Sequence, residues 1–563
     1  NQTLKVFSET DDPLVTNQWY LQNIRAKAAW ETETGDSSII VGVIDTGIDY
    51  LHEDLQGQLW INSAEDLNGN GMLDSLDINN IDDDGNGYID DVIGWDFVDA
   101  PDFPDQGDFL FPDNDPMDEF GSGGHGTPIA GIIAAAQNNQ TGVSGIAPGG
   151  KVMALRAGTS SGFLEEDDVA EAIIYAVQNG CAIINMSFGD AAFSYLLRDA
   201  IQFGASRGVI FVAASGNDGS IVPNYPAAFD ETISVGATDS TNALAGFSNR
   251  GSTLNIVAPG VEVFSTQIGN RYGLHSGTSF SAPMVSAALA LIRSQFPADS
   301  PEQAIGALYA AARDFGAFGW DRFYGHGQID IAKSLQISEQ GFAEIIDPAS
   351  ADGISGREQA IIGTVFSPSL ISYTLSYGAG ENPVDWHTIT DVPATQSLQD
   401  TLAIWDAHNL ADSVYTLELR LRQRQRGLNE IVDKTIVYID RTPPVLNVLD
   451  TTALFIGAQN GFLIRFATDD PTTATLFFRK EGESEFQLSK TSRYFQNEHN
   501  FTVLQEDISG QITFYIALEN SAGLTAIADN DGAFFRINLP ANFPSESRLI
   551  EKNSFRSAVF LCR

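Results

Sequence analysis

Hydrophobic positions fall into two regimes along this chain. Up to about residue 340, short continuous apolar runs alternate with segments of helical period. The runs SSIIVGVID (37–45), KVMALRA (151–157), AIINMS (182–187), VIFVAAS (209–215) and TISVGA (232–237) read as strands buried on both faces. PIAGIIAAAQ (128–137), EEDDVAEAIIYAVQNG (165–180) and SFSAPMVSAALALIRSQF (279–296) read as helices. Pro128 is tolerable in a first turn, and acids open and glycine closes the second helix. This alternation predicts an α/β domain over residues 1–340, a doubly wound parallel sheet. Beyond residue 340 the helical period fades. AIIGTVF, SYTLSYGAG, TLELRLR and TIVYID alternate at period two, and so do FLIRFATDD, TATLFFRK, QITFYIALEN and AFFRINL. They predict two β-sandwich modules, 341–443 and 444–541, joined by the stiff linker DRTPP (440–444) and followed by a polar tail, 542–563.

Length and charge narrow the function. The 563 residues suffice for about three domains. Acidic residues number 74 and basic ones 30, a net charge of −44. Such a surface repels phosphate backbones and excludes nucleic acid as a partner. It favours solubility, divalent cations and a salty habitat. No apolar run reaches the roughly 18–20 residues of a membrane span, so the chain is not expected to be an integral membrane protein. Two cysteines, Cys181 and Cys562, cannot staple a chain this long. Cys181 heads a buried strand and reads as a core thiol.

Reactive side chains gather where a parallel sheet collects its ligands, at strand carboxyl ends. VIDTGID puts Asp45 at the end of a strand. GSGGHGTPIAG puts His125 at a glycine-rich helix start, and HSGTSFSAP puts Ser279 at the start of the longest apolar helix. A serine hydroxyl is a weak nucleophile unless a base takes its proton and a third group orients that base. His125 can be the base and Asp45 the orienter. FVAASGNDG adds Asn217, whose amide can donate to an oxyanion beside the Ser279 N–H. Taken singly, each residue has a bland reading as a cap, a turn former or a surface imidazole.

Together, VIDTGID, GGHGTPIAG, AASGNDG and SGTSFSAP resemble the four signature segments of the subtilisin family, the subtilases, in the same Asp, His, Ser order. The resemblance covers roughly residues 12 to 340. It implies Asp45 as orienter, His125 as general base, Ser279 as nucleophile and Asn217 as oxyanion donor. Pro128 and Ile129 stand where most members carry His-Val. INMSFGD resembles the strand that pairs with a bound peptide, which implies Ser187, Phe188 and Gly189 in the first specificity pocket, completed by Gly216 and Asn224. GTSSGF, with Gly162, resembles the opposite edge of the cleft. The Tyr225–Pro226 bond is implied to be cis.

Asp45 and His125 are 80 residues apart, with an acidic insertion at about 62–119 between them. From Glu65 to Glu119 there are 18 acids, and no lysine or arginine occurs between Lys27 and Lys151. Such density repels itself unless cations neutralise it. DLNGNGMLDSLD offers Asp66, Asn68, Asn70, Asp74 and Asp77 at calcium-loop spacing. DDDGNGYIDD offers Asp82, Asp84, Asn86, the Tyr88 carbonyl, Asp90 and Asp91. The second stretch resembles an insertion of many secreted subtilases. A further calcium site is implied by the resemblance alone: Asp12, Asp54, the Asn139 side chain and the carbonyls of Gln137, Thr141 and Val143.

These readings converge on a secreted or cell-surface bacterial serine endopeptidase, monomeric, stabilised by more than one calcium ion and acting on unstructured polypeptide. Family members are made with an N-terminal propeptide, and the chain from Asn1 reads as a mature form. The C-terminal modules resemble the immunoglobulin-like repeats of secreted enzymes. The competing reading is a silent protease-like scaffold or adhesion protein. The acid-acting carboxyl relatives of the same fold are disfavoured by His125.

Overall fold

The buried runs become one sheet. In the computed structural model, strands form at β1 (Ile40–Asp45), β2 (Gly94–Asp96), β3 (Lys151–Arg156), β4 (Phe163–Glu165), β5 (Ile183–Met186), β6 (Ile210–Ala214), β7 (Thr232–Thr238) and β8 (Ile256–Pro259). All but β4 join a seven-stranded parallel sheet in the order β2-β3-β1-β5-β6-β7-β8. The structure describes residues 10–101, 107–121, 123–316, 320–337, 341–348, 352–367, 369–393, 395–424, 430–456, 459–492, 496–505, 510–530, 532–539 and 559–561. Cys562 and most of the predicted tail lie outside them.

Helices cover both faces, as continuous apolar strands require. In chain order they are α1 (Trp19–Asn23), α2 (Ala26–Ala29), α3 (Gly126–Ala134), α4 (Glu166–Gln178), α5 (Tyr195–Ala205), α6 (Ala282–Gln295), α7 (Pro301–Ala311) and α8 (Ile331–Ser334). One core joins α3, α6 and α7 to the sheet through Ile129, Ile132, Met284, Leu289 and Leu308. The other joins α4 and α5 through Val169, Ile173, Leu197 and Ile201. Every residue of α6 from Ala282 to Ile292 is buried, so apolar character all round this helix reports a core position. The capping box of Ser300 and Gln303 starts α7. Cys181 is a buried free thiol, its Sγ 3.6 Å from Met153 Sδ.

One element was not anticipated. The acidic insertion supplies β2, an edge strand in parallel register with β3, Gly94 facing Ala154 and Asp96 facing Arg156. The insertion is therefore part of the sheet. Three residues are too few for periodicity to reveal.

From Phe342 on, the regular elements among the described residues are strands. A three-stranded sheet (Phe342–Asp347, Glu358–Phe366, Ser397–Asp406) accompanies a five-stranded one built on Leu370–Ala379, Ser413–Gln423 and Glu430–Ile439. Trp405, Leu375, Leu417 and Val437 are buried in their shared core. The next sheet turns on the 22-residue strand Gln459–Lys480, whose core holds Phe462, Phe466, Phe478 and Phe514. The linker is tethered: the Arg441 guanidinium donates to Asp412, Leu410 and Ala407. Val559–Leu561 pairs antiparallel with β4, which the polar tail gave no reason to expect.

Candidate active site

Asp45 closes β1 at 0% exposure, and His125 is the residue from which α3 starts. Their segments touch closely, since a Cβ on Gly126 would lie 2.1 Å from the Gly47 carbonyl oxygen. His125 Nδ1 lies 2.7 Å from Asp45 Oδ1. A carboxylate only accepts, so Nδ1 carries the proton and the neutral ring presents Nε2 as a lone pair. That Nε2 is buried and has no hydrogen-bond partner. Burial lowers the affinity of this imidazole for a proton. The Asp45 charge and hydrogen bond, with Asp118 behind them, outweigh it and set the pKa above the ordinary value.

Ser279 sits in the single turn Thr278–Phe280 that leads into α6. Its hydroxyl donates to the Ser187 carbonyl at 3.0 Å, and the Ser187 hydroxyl donates back to the Ser279 carbonyl at 2.8 Å. This reciprocal pair fastens the start of α6 to the end of β5. The Phe280 ring lies 5.6 Å from the His125 ring. Asn217 Oδ1 accepts both the Thr278 N–H at 2.8 Å and its hydroxyl at 3.0 Å. Occupying that oxygen fixes which way the amide faces.

A cavity of about 470 Å³ opens beside Ser279. Its lining includes Ser187, Phe188, Gly189, Gly216, Asn217 and Asn224. Gly162 is not among the lining residues. It lies at positive φ in the tight turn before β4, where its N–H donates to the Thr159 carbonyl at 2.8 Å. Tyr225–Pro226 is cis.

Asp118 escaped the sequence reading. It is buried, and its carboxylate accepts the Thr46 hydroxyl at 2.9 Å, the His125 N–H at 3.1 Å and the Thr127 N–H at 2.9 Å. It thus ties together the loops that carry Asp45 and His125. It was hidden in a stretch crowded with acids.

The oxygen-rich loops fold around their own acids. In the first, Asn68 Nδ2 donates to Asp74 and Asp77, Asn70 Nδ2 donates to Asp74, and Asp66 accepts the Gly71 N–H. In the second, Asn86 Nδ2 donates to Asp84 and Asp91, while Asp82 accepts the Gly85 and Gly87 N–H groups. Tyr88 donates its N–H to Asn86 Oδ1 and its hydroxyl to Glu171. The Asp90 carboxylate accepts the N–H groups of Asn79 and Asn80. Glu65 joins Asp84 and Asp91. Oxygens of Glu65, Asp84 and Asp91 lie within 4.8 Å of one another, and Glu65 Oε2 is buried without a hydrogen-bond partner. The sequence reading passed over Glu65 because it precedes the loop motif by 17 positions.

At the family-implied site, Asp12 accepts the N–H groups of Asn138 and Asn139, and Asp54 accepts Asn139 Nδ2 at 2.8 Å and the Val143 N–H at 2.7 Å. Thr141 N–H donates to Asn139 Oδ1. Gln137 turns its amide nitrogen to the Ser144 hydroxyl at 3.2 Å. Burial, reinforced by Asp12, pushes the Asp54 carboxyl up to about 6. Both carboxylates are buried, and N–H donors meet each of them.

Seven parallel strands with Asp45, His125 and Ser279 converging at their carboxyl ends define a subtilisin-like α/β protein. Residues 36–327 match the Subtilase family, and the chain belongs to it. A thermophilic serine proteinase of Bacillus sp. (strain AK1) is 37% identical over 278 residues, 49% of this chain and 58% of that protein. Thermitase of Thermoactinomyces vulgaris is 32% identical over 286 residues, 51% of this chain and 85% of thermitase. The minor extracellular protease Epr of Bacillus subtilis (strain 168) is 31% identical over 342 residues, 60% of this chain and 45% of Epr. The chain thus spans 58% of the first of these relatives and less than half of the last.

Proposed function

We propose that this protein is a secreted, calcium-stabilised serine endopeptidase. The observation that carries the reading is the 2.7 Å contact of His125 Nδ1 with Asp45, which leaves a buried lone pair on Nε2. His125 takes the proton of the Ser279 hydroxyl as that oxygen attacks the scissile carbonyl. This requires the hydroxyl to turn from the Ser187 carbonyl to the imidazole, the kind of tightening that substrate binding brings about. The Asn217 amide and the Ser279 N–H hold the oxyanion. His125 then protonates the leaving amine, and water repeats the cycle on the acyl-enzyme.

The substrate is extended polypeptide, with one side chain in the cavity lined by Phe188, Gly189 and Gly216. Calcium would be held by Asp12 and Asp54 at one site and by Glu65, Asp84 and Asp91 at another. There it would supply charge neutralisation and no chemical step. Secretion is supported by the extracellular relative.

Labelling with a fluorophosphonate probe, with Ser279→Ala as control, tests the reading. Labelling that disappears in the alanine variant is expected. A folded wild type that does not label would point instead to a silent scaffold.

A further inference from the structure

A third carboxylate cluster lies outside both loops and outside the family-implied site. Oxygens of Asp99, Glu165 and Asp168 lie within 4.8 Å of one another. They come from three separate segments. Asp99 follows β2 in the acidic insertion, Glu165 ends β4, and Asp168 stands in the first turn of α4. Asp168 is only 4% exposed, and its Oδ2 has no hydrogen-bond partner. The Asp99 backbone N–H serves the carboxylate, yet burial and then the charges of Asp99, Asp167 and Glu165 push its carboxyl up to about 8. Glu165 occupies the N-cap position of α4 without capping it through its side chain. A buried carboxylate oxygen with no donor, beside two further carboxylates, is costly unless a cation meets it.

We propose that Asp99, Glu165 and Asp168 form a divalent-cation site that ties the turn before β4 and the start of α4 to the acidic insertion. Three carboxylate oxygens gathered this closely suit a hard divalent cation such as calcium, which takes oxygen ligands at about 2.4 Å. The helix N-terminus stabilises carboxylates rather than the ion, so three anionic ligands are needed to outweigh it. The location gives the ion a task. The Thr159–Phe163 turn is closed by the Thr159 N–H to Phe163 carbonyl bond at 2.9 Å and leads directly into β4. Fixing Glu165 to Asp168 and Asp99 fixes that turn against the sheet.

The test is equilibrium dialysis of the full chain against radioactive calcium, wild type beside Asp168→Asn and Glu165→Gln. Each variant is expected to hold one ion fewer than wild type. Asp168→Asn should melt no lower than wild type in chelator, because it removes buried repulsion, and should gain less on adding calcium. An unchanged ion count overturns the site and leaves Asp168 a protonated acid. An equal drop in Tm with and without calcium overturns it as well. Probe labelling of Ser279 reports the endopeptidase reading separately: without labelling that reading falls, while the ion count still decides the site.

Discussion

The Asp118 carboxylate accepts the backbone N–H of His125 at 3.1 Å and, through the same oxygen, the N–H and hydroxyl of Thr127 at 2.9 and 2.6 Å. Asp118 therefore positions the base without facing the cavity. Asp118→Ala leaves these buried donors unpaired, at about 1–3 kcal/mol for each. Melting temperature and kcat should both fall. Asp118→Asn keeps one acceptor oxygen and should lose less of each, which calorimetry and steady-state kinetics will show.

His125 must be neutral to act as base, and its pKa is raised. The plateau of kcat/KM should therefore begin above pH 6.5, and activity should fall as pH drops through the raised value. Stability runs the other way. The raised pKa adds stability below about 6.5, which is lost as pH climbs through the folded value. Asp45→Asn removes the group that raises it. The pH midpoint should move to lower pH while the plateau drops by about 10⁴.

Asn217→Leu keeps the side-chain size and removes the donor. It should cost about 10²–10³ in kcat with little change in KM. A fall in kcat/KM carried by KM alone would remove Asn217 from the oxyanion role.

Pocket size hinges on Gly189, where an added Cβ would lie 2.2 Å from Asn224 Nδ2. Gly189→Ala should raise KM for substrates with large side chains at the cleavage position and spare those with small ones. A peptide series varied at that position will measure it.

Chelation should lower the melting temperature and speed autolysis, since binding to the folded state alone contributes about 2.7 kcal/mol at a hundredfold excess over Kd. Glu65→Gln and Asp54→Asn should each reduce that calcium-dependent gain, read as the difference in Tm between calcium and chelator.

Much of this was legible along the chain. The parallel sheet followed from apolar runs such as 37–45 and 209–215, because a strand buried on both faces needs no partner to declare itself. The segments bearing Asp45, His125, Asn217 and Ser279 were equally clear, since each couples a reactive side chain to glycines or a helix start within a few residues. Proximity in space was not legible. Nothing local distinguishes Asp118 from its acidic neighbours, or Glu65 from Asp90 as the third oxygen beside Asp84 and Asp91. Those roles arise when the insertion lays β2 against β3 and brings carboxylates distant in sequence together. Burial and long-range charge depend on the closed fold, so residue types and spacing name the candidates and the packed chain selects among them.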